Sequence, residues 1–132
     1  MTKNKTTKLS ELSISYLSNA REIFAKSPKE GKLYVEDKYV REGAEIAYLA
    51  ALIAIDGYLV KKGVAVEKLP QSIEEYWMHI KKYIRHDSKF NENFMLVYQN
   101  LHICAHQLGS QSIALVKEGL VAVGDIIKLL KN

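Results

Sequence analysis

Apolar and polar positions recur along this chain at helical spacing in five segments. In residues 10–26, Leu12, Tyr16, Ala20 and Ile23 fall three or four apart, and Leu17 and Phe24 widen the stripe. Ser27–Pro28 ends this helix, because proline cannot continue the backbone ladder. Residues 29–36 read as a linker, with Leu33–Val35 too short and isolated for a strand. The second segment, 37–62, opens with the polar Arg41, Glu42 and Glu45. Ten consecutive apolar residues follow, Ile46–Ile55, and end on Asp56. One stripe holds Val40, Ala44, Ala47, Ala51, Ile55 and Tyr58, and another holds Ile46, Leu49, Ile53 and Val60. A helix apolar all round is buried, and its alanines let neighbours approach closely. Gly63 is placed to end it.

The third helix starts at a capping box, Ser72 with Glu75, after Pro70. Ile73, Tyr76, Trp77, Ile80 and Ile84 make its apolar face. The fourth, 88–108, carries Phe90, Phe94, Val97, Leu101, Cys104 and Leu108 as its core stripe, while Leu96 and Ile103 point elsewhere. The fifth, 112–131, repeats Ile113, Val116, Leu120, Val123, Ile127 and Leu130 like a bundle seam. Gly119 and Gly124 in it weaken the helix or mark close packing.

These segments predict an all-α fold: an antiparallel up-and-down bundle of four main helices plus one shorter helix. Residues 9–132 form one domain, and residues 1–8 (MTKNKTTK) a disordered basic arm. Helices two and four carry more apolar surface than one bundle covers, which predicts a symmetric homodimer.

Charge changes this picture little. The formal charge is +4, but without Lys3, Lys5 and Lys8 the body has 16 basic against 15 acidic residues. A near-neutral body is a poor phosphate-binding surface. The single cysteine, Cys104, excludes an internal disulfide and any multi-cysteine zinc site. No apolar stretch follows the basic start as in a signal peptide. The Ile46–Ile55 run is about half the roughly 20 residues of a membrane span. The expected setting is cytoplasmic, with no membrane partner.

Few residues suggest chemistry. His102 and His106 lie one helical turn apart, a spacing that suits a metal, but further ligands are missing and no metal is expected. Arg41 and Glu45 are also a turn apart. Their plainer role is a solvated ion pair, and the functional one an anion clamp. Asp56, if buried, needs a partner such as a tyrosine hydroxyl or a histidine, and is a candidate for a shifted pKa. The segment His79–His86 (HIKKYIRH) is basic with aromatics nearby, but Trp77 and Ile80 read as core, which separates stacking from charge. No serine elbow or glycine-rich phosphate loop is present, and no catalytic residue or cofactor is expected.

The stretches Tyr39–Tyr58 (YVREGAEIAYLAALIAIDGY) and Leu101–Gly109 (LHICAHQLG) resemble the second and a late helix of HEPN-like four-helix bundles, in a bacterial branch of unknown function. The resemblance implies an Arg, four to six residues, then a His in active ribonucleases of that family. His106 matches the histidine, while Leu101, Asn100 and Gln99 stand where the arginine would be. The resemblance therefore implies a non-catalytic homodimeric binding bundle, with a second protein such as a nucleotidyltransferase as a further partner. The alternative it implies is an RNA- or nucleotide-binding, ribonuclease-like domain using Asn100, His102 and His106, with Arg41 donated from elsewhere. The sequence leaves open whether the chain catalyses anything.

Overall fold

The structure, a computed structural model, describes residues 2–84 and 87–131, the first three by their backbone alone. Its helices are α1 (Thr2–Ala25), α2 (Asp37–Lys61), α3 (Ile73–Tyr83), α4 (Ser88–Leu96) and α5 (Ile113–Lys131), and α4 continues into a π-helix, Val97–Gln107. They form an antiparallel up-and-down bundle around α2, which packs on α1, the π-helix and α5. By length and composition α2 is apolar enough to cross a membrane, yet 61% of its most apolar window is buried within the bundle.

Glycines bring α1 and α2 together. A side chain on Gly43 would meet the Phe24 ring at 3.0 Å, and one on Gly57 would meet Leu9 Cβ at 3.2 Å. α1 begins at Thr2 rather than near residue 10. Residues 2–8 are helical, not the disordered arm expected for them, and Leu9 lies on Gly57.

The 29–36 linker also departs from expectation. Strands β1 (Lys29–Glu30) and β2 (Leu33–Tyr34) pair antiparallel around Gly31, whose φ of 62° belongs to a tight turn. Long-range partners hold the hairpin: Tyr34 N donates to Gln111 O at 2.9 Å, and Ile113 N to Lys32 O at 3.1 Å. Tyr34 is buried against Phe24, with ring centroids 5.6 Å apart.

Ser72 caps α3 as expected, accepting from Glu75 N at 3.2 Å. The Glu75 carboxylate reaches one residue further back than in a standard box, to Gln71 N at 3.1 Å. Ile80 is buried and Trp77 packs edge-on against Phe94 at 4.8 Å, so both serve the core. Arg85 and His86 of the basic segment lie outside the described residues.

The fourth helix carries the main correction. Phe90, Phe94, Val97 and Leu101 are buried as expected, but the next core residue is Ala105. Cys104 is half-buried, and Leu108 is 72% exposed. A π-helix closes i→i+5 rings, so its turn is wider than 3.6 residues. The buried stripe then advances by fours, 97, 101 and 105, and leaves Cys104 and Leu108 behind.

Candidate functional site

The π-helix carries a cluster of aromatic and imidazole rings. Spaced four residues apart, Tyr98, His102 and His106 share one face of the π-helix. Their ring centroids are 5.6 and 6.0 Å apart. From α2, Tyr48 stacks on His102 at 4.4 Å and 25°, and meets Tyr98 at 6.3 Å. A sustained π-helix is rare, and its shorter relatives recur at functional sites.

Glu45 faces both imidazoles. His102 Nδ1 lies 3.1 Å from one carboxylate oxygen, and His106 Nε2 lies 3.9 Å from the other. A carboxylate only accepts, so His102 Nδ1 carries the proton, and its Nε2 accepts from Gln107 Nε2 at 3.3 Å. His106 Nδ1 donates to the Arg41 carbonyl at 2.9 Å. Its Nε2 makes no hydrogen bond among the described residues. Glu45 Oε2 is the carboxylate oxygen facing that nitrogen. Tyr48 stays a neutral phenol, since burial, then Glu45 and Tyr98, push its pKa up to about 12.

Arg41 is not the partner of Glu45. Its Nε lies 3.4 Å from Asp37, and its Nη1 donates to the carbonyls of His106 at 3.1 Å and Gln107 at 3.0 Å. The last carbonyls of a helix lack partners within it and carry partial negative charge, so a guanidinium satisfies both needs. Gly109, at φ 72°, follows this terminus, and a side chain there would run into the guanidinium.

Asn100 does not join the histidines. Its Nδ2 donates to Leu115 O at 3.1 Å and Glu118 Oε1 at 3.0 Å, both on α5. Asp56 lies eleven residues along α2 from Glu45, about 16 Å at 1.5 Å per residue. It accepts from the Tyr76 hydroxyl at 2.9 Å. Burial pushes its pKa up to about 6, against the lowering effects of Tyr76 and nearby His79. Tyr76 is raised in turn, by burial first, then by Asp56, with Tyr48 adding to the push.

Arg41, Glu45, Tyr48, Leu52 and Asp56 thus share one face of α2, met by the π-helix at one end and by α3 at the other. The sequence pointed to Arg41, Glu45, His102 and His106, which come together here. Tyr48, Tyr98 and Gln107 were missed, although the spacing Tyr98–His102–His106 was visible. Among the described residues no group of three or more His, Cys, Asp or Glu is placed to hold a metal ion.

Comparison with known proteins agrees with the fold and gives no activity. Residues 8–132 match the model of DUF5618, a domain of unknown function. A solved protein of unknown function from Dyadobacter fermentans is similar over 96% of each chain, at 27% identity and a TM-score of 0.81. No curated protein matches. None of these descriptions mentions HEPN bundles.

Proposed function

We propose that this chain, which belongs to the DUF5618 family of domains of unknown function, is a non-catalytic binding domain that pairs with a second copy through the outer face of α2. One observation carries this reading. Ile46, Leu49 and Ile53, three and four residues apart, form an apolar strip beside Glu45; Leu49 is 37% exposed and the other two are half-buried. An apolar strip on the central helix calls for a cover, and a two-fold axis sets the same strip against its twin. The surroundings of His102 and His106 favour binding over turnover, because Arg41 is engaged by backbone carbonyls and Asn100 by α5. The likeness of Tyr39–Tyr58 and Leu101–Gly109 to HEPN-like bundles supports the same reading. A cytoplasmic setting and a second protein partner, such as a nucleotidyltransferase, belong to the same proposal.

A second reading rests on the His106 Nε2 lone pair, whose tautomer the Arg41 carbonyl fixes from Nδ1 and which has Glu45 3.9 Å away, an arrangement that suits a general base for RNA or a nucleotide. Incubation with total RNA separates the two. The binding reading expects the wild-type chain and His106→Ala to leave RNA equally intact. Cleavage by the wild type that His106→Ala abolishes would establish the second reading instead.

A further inference from the structure

On the side of α2 away from the histidine seam, the bundle is open. A groove of about 700 Å³ runs between α1, the far end of α2 and the end of α5. Sites for small molecules typically span about 300–1,000 Å³. Ala54 and Lys61 each lie nine residues beyond Glu45 and Leu52, which is two and a half helical turns and hence the opposite face.

The groove exists because Gly57 lets α1 lie directly on α2, while α1 touches α5 only lightly. Its floor is apolar, formed by Ala54, Ile127 and Leu130, with Ile14 of α1 as a wall that is 44% exposed. Ser13 beneath it is fully buried and already satisfied by Ser10 O at 2.8 Å, so the floor presents no unmet polar demand there. At the mouth, Lys61 ends α2 and Lys131 ends α5, both exposed. Among the described residues that line the groove, Glu11 is the one acid beside these two lysines.

From the apolar floor and cationic mouth we infer that this groove binds an anionic amphiphile, a long-chain carboxylate whose tail lies on Ile127 and Leu130 and whose head meets Lys61 and Lys131. Burial of the tail supplies most of the affinity, and the lysines select the sign of the head group.

The test is titration calorimetry with dodecanoate and with dodecyltrimethylammonium, both below micelle formation, on the full chain. Saturable dodecanoate binding at one site is expected, with the cationic amphiphile about tenfold weaker or more. Lys61→Gln with Lys131→Gln weakens dodecanoate about five- to tenfold. Ser10→Phe fills the groove and abolishes binding, with circular dichroism confirming its helices. Ile14→Gln, at an exposed position, weakens binding should Ser10→Phe not fold. Absent or non-saturable binding, equal binding of both head groups, or binding that survives in the groove variants overturns the inference. So does a dimer that Ile14→Gln dissociates and Leu49→Glu leaves intact, since a second copy would then fill the groove.

Discussion

Arg41 and His106 are bound to each other in both directions. The His106 ring donates through Nδ1 to the Arg41 carbonyl at 2.9 Å, and the Arg41 side chain donates through Nη1 to the His106 carbonyl at 3.1 Å. The pair fastens the end of the π-helix to the first turns of α2 and fixes which His106 nitrogen keeps a lone pair. Arg41→Ala leaves two carbonyls without a protein partner at a half-exposed site, a loss of about 1–2 kcal/mol in urea unfolding. Arg41→Lys restores the charge but not the planar fork, and recovers part of that loss.

Gly109 leaves room for the same guanidinium at a positive φ. Gly109→Ala therefore meets two penalties, a left-handed backbone and displacement of the Arg41 guanidinium from its two carbonyls, together about 2–3 kcal/mol. In an Arg41→Ala background only the backbone penalty persists, about 1 kcal/mol. A double-mutant cycle from chemical denaturation measures the difference.

Asp56 makes stability depend on pH. Its folded pKa, about 6, lies above the ordinary 3.8, so the folded state holds this proton more tightly than the unfolded chain does. The resulting stabilisation is complete below about pH 3.8, declines as pH rises, and is gone above about 6. At pH 7.5 Asp56→Asn removes the cost of a half-buried charge and keeps an acceptor for the Tyr76 hydroxyl. The gain is about 1–2 kcal/mol after allowance for solvent screening, or a few degrees in Tm. Near pH 4 the substitution leaves Tm within about a degree of wild type. Thermal melts at the two pH values check both statements.

Gly119 of α5 sits over Leu101 of the π-helix, so close that a Cβ would lie 2.7 Å from its Cγ. Gly119→Ala gains helix propensity but overpacks a fully buried side chain, for a net loss of about 1–2 kcal/mol. With Leu101→Ala present the collision disappears, and Gly119→Ala becomes neutral or stabilising against that background in the same denaturation assay.

The helices were legible because their apolar stripes follow the α-helical period and their ends carry standard signals, such as Ser72 with Glu75. The π-helix was not, because a stripe continuing from Leu101 to Cys104 fits an α-helix as well as one continuing to Ala105 fits a π-helix. The hydrogen-bonded turn decides between them. Glu45, His102 and His106 were recognisable by residue type. Their alignment was not, since Arg41 and His106 stand 65 residues apart and no local pattern reports such a pairing. The β1–β2 hairpin escaped for the same reason, being held by Gln111 and Ile113. Asp56 was legible in kind, as an acid ending an apolar run, and Tyr76 supplies the hydroxyl that its burial demands.

The central proposal, that two copies pair through the outer face of α2, is tested most directly by light scattering across a micromolar concentration series of wild type and Leu49→Glu. The account predicts a wild-type mass twice that of the chain, and Leu49→Glu at the monomer mass with its helical content unchanged. A wild-type chain that stays monomeric throughout, or a dimer that Leu49→Glu leaves intact, contradicts it.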